Sequence, residues 1–165
     1  MECILNYCSG HVGADLMVIA YYLTAVLIAV GLSYVGRSKL VRSVASLVGI
    51  CWAFGLFAFL YMNTASYFLV AVMLDTILAY QFWRIGRNSF FTVPLFYLMM
   101  VEIAFIVFSQ GVGLPTYWTL FVLNRIFELT LLYLIGCAIF CIRLRQAQRK
   151  SEEPITDWRV RFIAG

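Results

Sequence analysis

The sequence predicts an all-α, polytopic transmembrane helix bundle of about five spans, with the N-terminus outside and the C-terminus inside. Three observations lead there. The chain has 165 residues, 64% hydrophobic and only 12% charged, whereas a soluble domain has roughly half apolar and a quarter charged residues. Its apolar residues fall into five runs, about 15–35, 43–62, 65–83, 90–109 and 117–142, each long enough for the ~20 residues that a span requires. Its cationic residues gather in alternate connections, as topology signals do.

The organisation follows in order along the chain. Residues 1–14 form an external tail with Glu2 and no Lys or Arg, and Asp15 opens the first span. No cationic segment precedes an apolar core with a small-residue cleavage site, so the first span is expected to stay in the mature protein. Cys3 and Cys8 lie in this tail, where an oxidising exterior permits a disulfide. Span one carries Ala25, Ala29 and Ser33 at four-residue spacing, and span two carries Ala45, Gly49 and Ala53. Small residues at that spacing let helix backbones approach closely in lipid, so these two stripes are helix-packing candidates, against each other or a neighbouring subunit. Arg37, Lys39 and Arg42 fill or flank the loop between them. The next loop, around Asn63 and Thr64, is uncharged and so short that spans two and three must form a tight hairpin.

Span three contains Asp75, flanked four residues away by Ala71 and Ala79, which leave a notch beside the carboxyl group. Arg84 and Arg87 mark the third loop. Pro94 sits in the first turn of span four, where its missing N–H is harmless, and Glu102 lies further along. Gly111, Gly113 and Pro115 break the chain into an external loop. Span five carries Asn124, Arg125 and Glu128 and is longer than a bilayer needs, so it should tilt or project inward. Residues 143–165 form a basic cytoplasmic tail that starts with Arg143, Arg145, Arg149 and Lys150. Its helical beginning should end at Ser151-Glu152-Glu153-Pro154, and the partly alternating stretch from Ile155 could rest on the membrane surface or on a partner. Tyr34, Tyr61, Tyr67, Trp83, Tyr117 and Trp118 fall at span ends, where aromatic rings favour the headgroup zone.

Asp75, Glu102, Arg125 and Glu128 are the ionisable groups placed where lipid should be. A charge at mid-bilayer costs about 2.5 kcal/mol or more, so each should face protein, water or an opposite charge. At about 1.5 Å per residue the four can meet in one layer. Asn124, Arg125 and Glu128 share one helix face by their three- and four-residue spacing. The planar guanidinium of Arg125 is suited to serving two carboxylates. The sequence therefore predicts a buried Asp/Glu/Arg layer tying spans three, four and five. Three acids face one base, so one or two carboxyl groups should carry a proton, as in a hydrogen-bonded core or a proton or cation path.

Several chemistries are disfavoured. The net charge of +4 reflects topology rather than nucleic-acid binding, because the basic residues sit at span ends. The sole histidine, His11, lies in the tail, so bis-histidine haem ligation and histidine-held pigments are not expected. No HExxH, GxSxG, Walker A or paired CxxC occurs, which argues against an enzyme. Cys51, Cys137 and Cys141 lie inside spans and read as small apolar packing residues. The kinds and order of Cys3, Cys8, Asp15, Tyr22 and Cys51 resemble the copper-binding sensor domain of ethylene receptors. That family has a Cys-containing external tail, an Asp–Tyr pair in span one and a Cys–His pair in span two. Its histidine would fall where this chain has Gly55, so the resemblance implies no copper site, and neither metal nor cofactor is predicted.

The functional expectation is a non-enzymatic, multi-pass protein of a plasma or inner membrane, acting as a small structural or docking subunit of a larger assembly. A five-helix bundle this small has little interior, so it is expected to associate with copies of itself or with other membrane subunits. The alternative is a small cation or proton channel or transporter, including a lysis-type pore, that uses Asp75, Glu102 and Glu128.

Overall fold

The computed structural model describes residues 12–86 and 89–150. These residues form five α-helices, α1 (Val12–Gly36), α2 (Lys39–Tyr61), α3 (Thr64–Gly86), α4 (Val93–Val112) and α5 (Thr116–Lys150), with a 3-10 turn at Phe90–Thr92 before α4. All five are long and apolar enough to cross a membrane, and no strand occurs among the described residues.

The helix ends are set by local chemistry. Ser38 caps α2, its hydroxyl accepting a hydrogen bond from the Val41 amide at 3.4 Å, which satisfies one of the orphan donors of a helix start. Asn63 does the same for α3 through the Ser66 amide at 2.8 Å. Ser89 caps the 3-10 turn through Phe91 N–H. α4 ends in Gly113, whose φ of 71° places it in the left-handed region, where the absence of a Cβ removes the steric cost. The reversal after α1 instead uses Arg37 at φ 50°, with its amide bonded to the Tyr34 carbonyl.

Helix order around the bundle is not the order along the chain. α3 packs on α4 and on α2, while α5 packs chiefly on α1 and less on α4 and α2. α1 and α5 run in the same direction. Tyr22 lies against Glu128 near one end, and a Cβ on Gly36 would sit 3.4 Å from the Ala138 carbonyl near the other. That distance is ordinary van der Waals contact, so α1 and α5 lie side by side at position 36. The main core runs from Tyr22 toward this second end, with Val44, Phe82, Phe91, Leu95, Leu134 and Ala138 fully or almost fully buried. A smaller cluster of Phe68, Ile106 and Leu123 fills the opposite half. Two bonds tie the third connection to its neighbours: Thr92 Oγ1 donates to the Phe82 carbonyl at 3.0 Å, and Tyr133 donates to the Phe91 carbonyl at 2.9 Å.

The periphery is apolar. Leu27, Phe54, Met73, Val107 and Leu132, one on each helix, are all more than half exposed. Contiguous apolar surface on this scale is what a soluble monomer avoids.

Candidate functional site

The four ionisable residues separate into two groups on different sides of the bundle. The first lies between α5 and α1. Arg125 pairs with Glu128 three residues along its own helix. The other oxygen of Glu128 accepts a hydrogen bond from the Tyr22 hydroxyl at 3.0 Å, and the Asn124 carbonyl lies 3.5 Å from the same hydroxyl. The guanidinium also sits 5.2 Å from the centre of the Phe121 ring. The Arg125 side chain is 59% exposed, against 18% for Glu128.

The expected buried Asp/Glu/Arg layer is therefore not formed, and the reason is rotational. The buried residues of α5 include Leu123, Thr130 and Leu134. At 3.6 residues per turn they occupy the side of the helix roughly opposite Arg125. Phe127 lies on that inner side, packed against Tyr22 and stacked on Trp52 of α2 at 6.4 Å. Arg125 shares the depth of Asp75 and Glu102, but it points out of the bundle.

The second group lies between α3 and α4. Asp75 and Glu102 are half-buried and within electrostatic reach of each other. Tyr67 lies within reach of both and Cys51 within reach of Asp75. Asp75 Oδ2 is fully buried and has no hydrogen-bond partner. No Arg or Lys forms an ion pair here, the Arg125–Glu128 bridge being the ion pair found among the described residues. The two acids meet because α3 and α4 are antiparallel neighbours. Asp75 is 11 residues from the start of α3 and Glu102 is 10 from the end of α4, or about 15–17 Å from the same end of the bundle.

The packing candidates are placed as follows. Ala29, Ser33 and Ala45 are buried, Ala25 and Gly49 are half-buried and Ala53 is exposed. A Cβ on Gly49 would meet Val26 Cγ1 at 3.2 Å and Val30 Cγ2 at 3.7 Å, so α2 approaches α1 at valines of α1. Cys3, Cys8, Arg87 and the tail beyond Lys150 lie outside the described residues. Among the described residues no group of three His, Cys, Asp or Glu side chains converges as a metal site would require.

Sequence reasoning gave Tyr22 no part in the polar cluster, although it connects α1 to the Arg125–Glu128 pair. Its partner is 106 residues away, so no local pattern flags it. Comparison with protein-family models, curated proteins and solved structures gives no match to the chain.

Proposed function

We propose that the chain is a multi-pass integral membrane protein of a plasma or inner membrane, with its N-terminus outside and C-terminus inside, and that it serves as a non-enzymatic docking subunit of a membrane assembly. The observation that carries this reading is Arg125. It lies nine residues into α5, about 13 Å from the helix start, on the outward face and largely uncovered. An intramembrane Arg is costly unless it faces protein or water, so an outward Arg at this depth favours a partner that covers it. The proposed orientation is supported by the placing of Arg37, Lys39, Arg42, Arg84, Arg143 and Arg145 at or beyond one set of helix ends, which the positive-inside rule assigns to the cytoplasm. Arg145 also donates to the Arg37 carbonyl at 3.4 Å, joining two of these basic segments.

The test is gentle solubilisation from the native membrane followed by native electrophoresis. The wild type should migrate as a complex, and Arg125→Gln should shift it toward the free chain. A wild type that migrates as a lone chain removes the docking reading. Orientation is checked with an impermeant thiol reagent on chains whose native cysteines are replaced, where Gln110→Cys should be labelled from outside and Lys39→Cys only after lysis.

A second reading, a proton or cation path, is favoured by one observation, the unpartnered buried oxygen of Asp75 beside Glu102. Against it, the acids are bracketed by apolar packing: Phe68 and Ile106 toward one end, and Leu78, Ala79 and Met99 toward the other. Proteoliposomes of the purified protein should show no Asp75-dependent flux. A current abolished by Asp75→Asn would make this reading the primary one, because Asn keeps the shape but cannot ionise.

A further inference from the structure

The exposed face of α5 has a charge pattern that complements itself. Arg125 and Glu128 are three residues apart, which sets them about 60° apart around the helix axis. Viewed from outside, Arg125 forms a prominent positive flank at 59% exposure, and Glu128, 18% exposed beside Tyr22, forms a recessed negative one. Below them Leu129 and Leu132 are 54% and 64% exposed, and a Cβ on Gly136 would meet no atom within 4 Å. Leu129 and Leu132 also line one side of an open apolar groove whose other side is Tyr97, Leu98 and Val101 of α4.

We propose that this face docks on the same face of a second copy of the chain, with Arg125 of each copy reaching Glu128 of the other. The inference rests on the docking reading above and names its partner. Two copies in one membrane share their orientation, so a two-fold axis along the bilayer normal relates them. Such an axis sets the left flank of each face against the right flank of the other, so every Arg125 meets a Glu128. The interface is isologous. The guanidinium has five N–H donors, and the bond to its own Glu128 leaves others free to bridge. Each carboxylate, which accepts from the Tyr22 hydroxyl and from its own Arg125, retains lone pairs for a third donor. Gly136 then allows the two α5 backbones to come close beneath the charged pairs.

Charge decides between this occupant and a lipid. A headgroup phosphate would be drawn to Arg125 but would lie beside the Glu128 carboxylate that already neutralises it. A second copy offers a dipole of the reverse sense and leaves no charge unmatched.

The experiment measures energy transfer between donor- and acceptor-labelled full-length chains in lipid vesicles at falling protein-to-lipid ratio. Wild type should pair. Arg125→Glu leaves two acids on the face and Glu128→Arg leaves two bases, so each alone should pair at least tenfold more weakly. Mixing these two variants should restore transfer to within about threefold of wild type, which would also establish that both fold. Arg125→Gln, which removes the charge without reversing it, should weaken pairing in the same direction. Wild-type chains that stay single at every ratio overturn the proposal, as do wild-type pairs that Arg125→Gln and both reversals leave intact. Single chains that retain an anionic lipid in an Arg125-dependent manner assign the face to lipid instead. Single chains that bind a different subunit, lost in Arg125→Gln, overturn self-pairing while leaving the docking reading standing.

Discussion

Replacing Tyr22 by Phe deletes one oxygen and leaves the ring in place, so it isolates the bond that joins α1 to the Arg125–Glu128 pair. The ring of Tyr22 is 6% exposed and packs on Phe127 with centroids 5.8 Å apart, and Phe preserves both contacts. The loss is then the 3.0 Å bond to Glu128, since the 3.5 Å approach to the Asn124 carbonyl is marginal. In a soluble protein a hydrogen bond to a charged group contributes about 1.5–3 kcal/mol. Between membrane helices measured couplings average about 0.6 kcal/mol with a maximum near 1.7, because the unfolded chain in lipid also finds partners. Glu128 keeps Arg125 when the hydroxyl goes, so no charge is stranded and the large penalty for a broken buried pair does not apply. Tyr22→Phe should therefore cost about 1 kcal/mol, near the upper part of the membrane range. Reversible unfolding in mixed micelles at high dilution, run as a double-mutant cycle with Glu128→Leu, which removes the acceptor, reads the coupling directly. Unchanged stability would refute the reasoning, and so would a loss above about 3 kcal/mol that persists in the Glu128→Leu background.

Two further substitutions test the main core and the third connection. Phe82 is completely buried. In lipid the transfer contribution to Phe82→Ala largely disappears, leaving a cavity on the order of 100 Å³ at about 24 cal/mol per Å³, or roughly 2 kcal/mol by the same unfolding assay. Thr92→Val keeps the shape of Thr92 but removes its 3.0 Å bond to the Phe82 carbonyl. It should cost about 1 kcal/mol and should increase proteolytic cleavage in the loop before α4.

How much of this was legible in the sequence depends on whether a feature is local or azimuthal. Span number and position were legible, because length and apolar content are properties of contiguous residues. The run read at 65–83 is α3 at Thr64–Gly86, and the overlong last run became a helix reaching Lys150. Matching depth on consecutive antiparallel helices accounts for Asp75 and Glu102 being within electrostatic reach, but the single layer expected of them with Arg125 and Glu128 is not formed. The side of α5 on which Arg125 lies does not follow from its depth along the helix. Its rotation was partly available: Thr119, Thr130 and Ala138 mark a small-residue side of α5 that is fully buried, and Arg125 does not lie on it. The pairing of α1 with α5, and with it the role of Tyr22, depends on the order of helices around the bundle, which no single helix encodes.

That order of helices has a consequence for how the chain is made. The first helix synthesised packs chiefly against the last, and the bond from Tyr22 to Glu128 closes a loop of 106 residues. During translation the side of α1 that carries Tyr22 and Gly36 stays without its α5 partner while α2, α3 and α4 are made. At roughly 5–20 residues per second that wait lasts about 5–20 s. Over that interval the number of helices made rises from one to four, and the bundle cannot close until the fifth is complete.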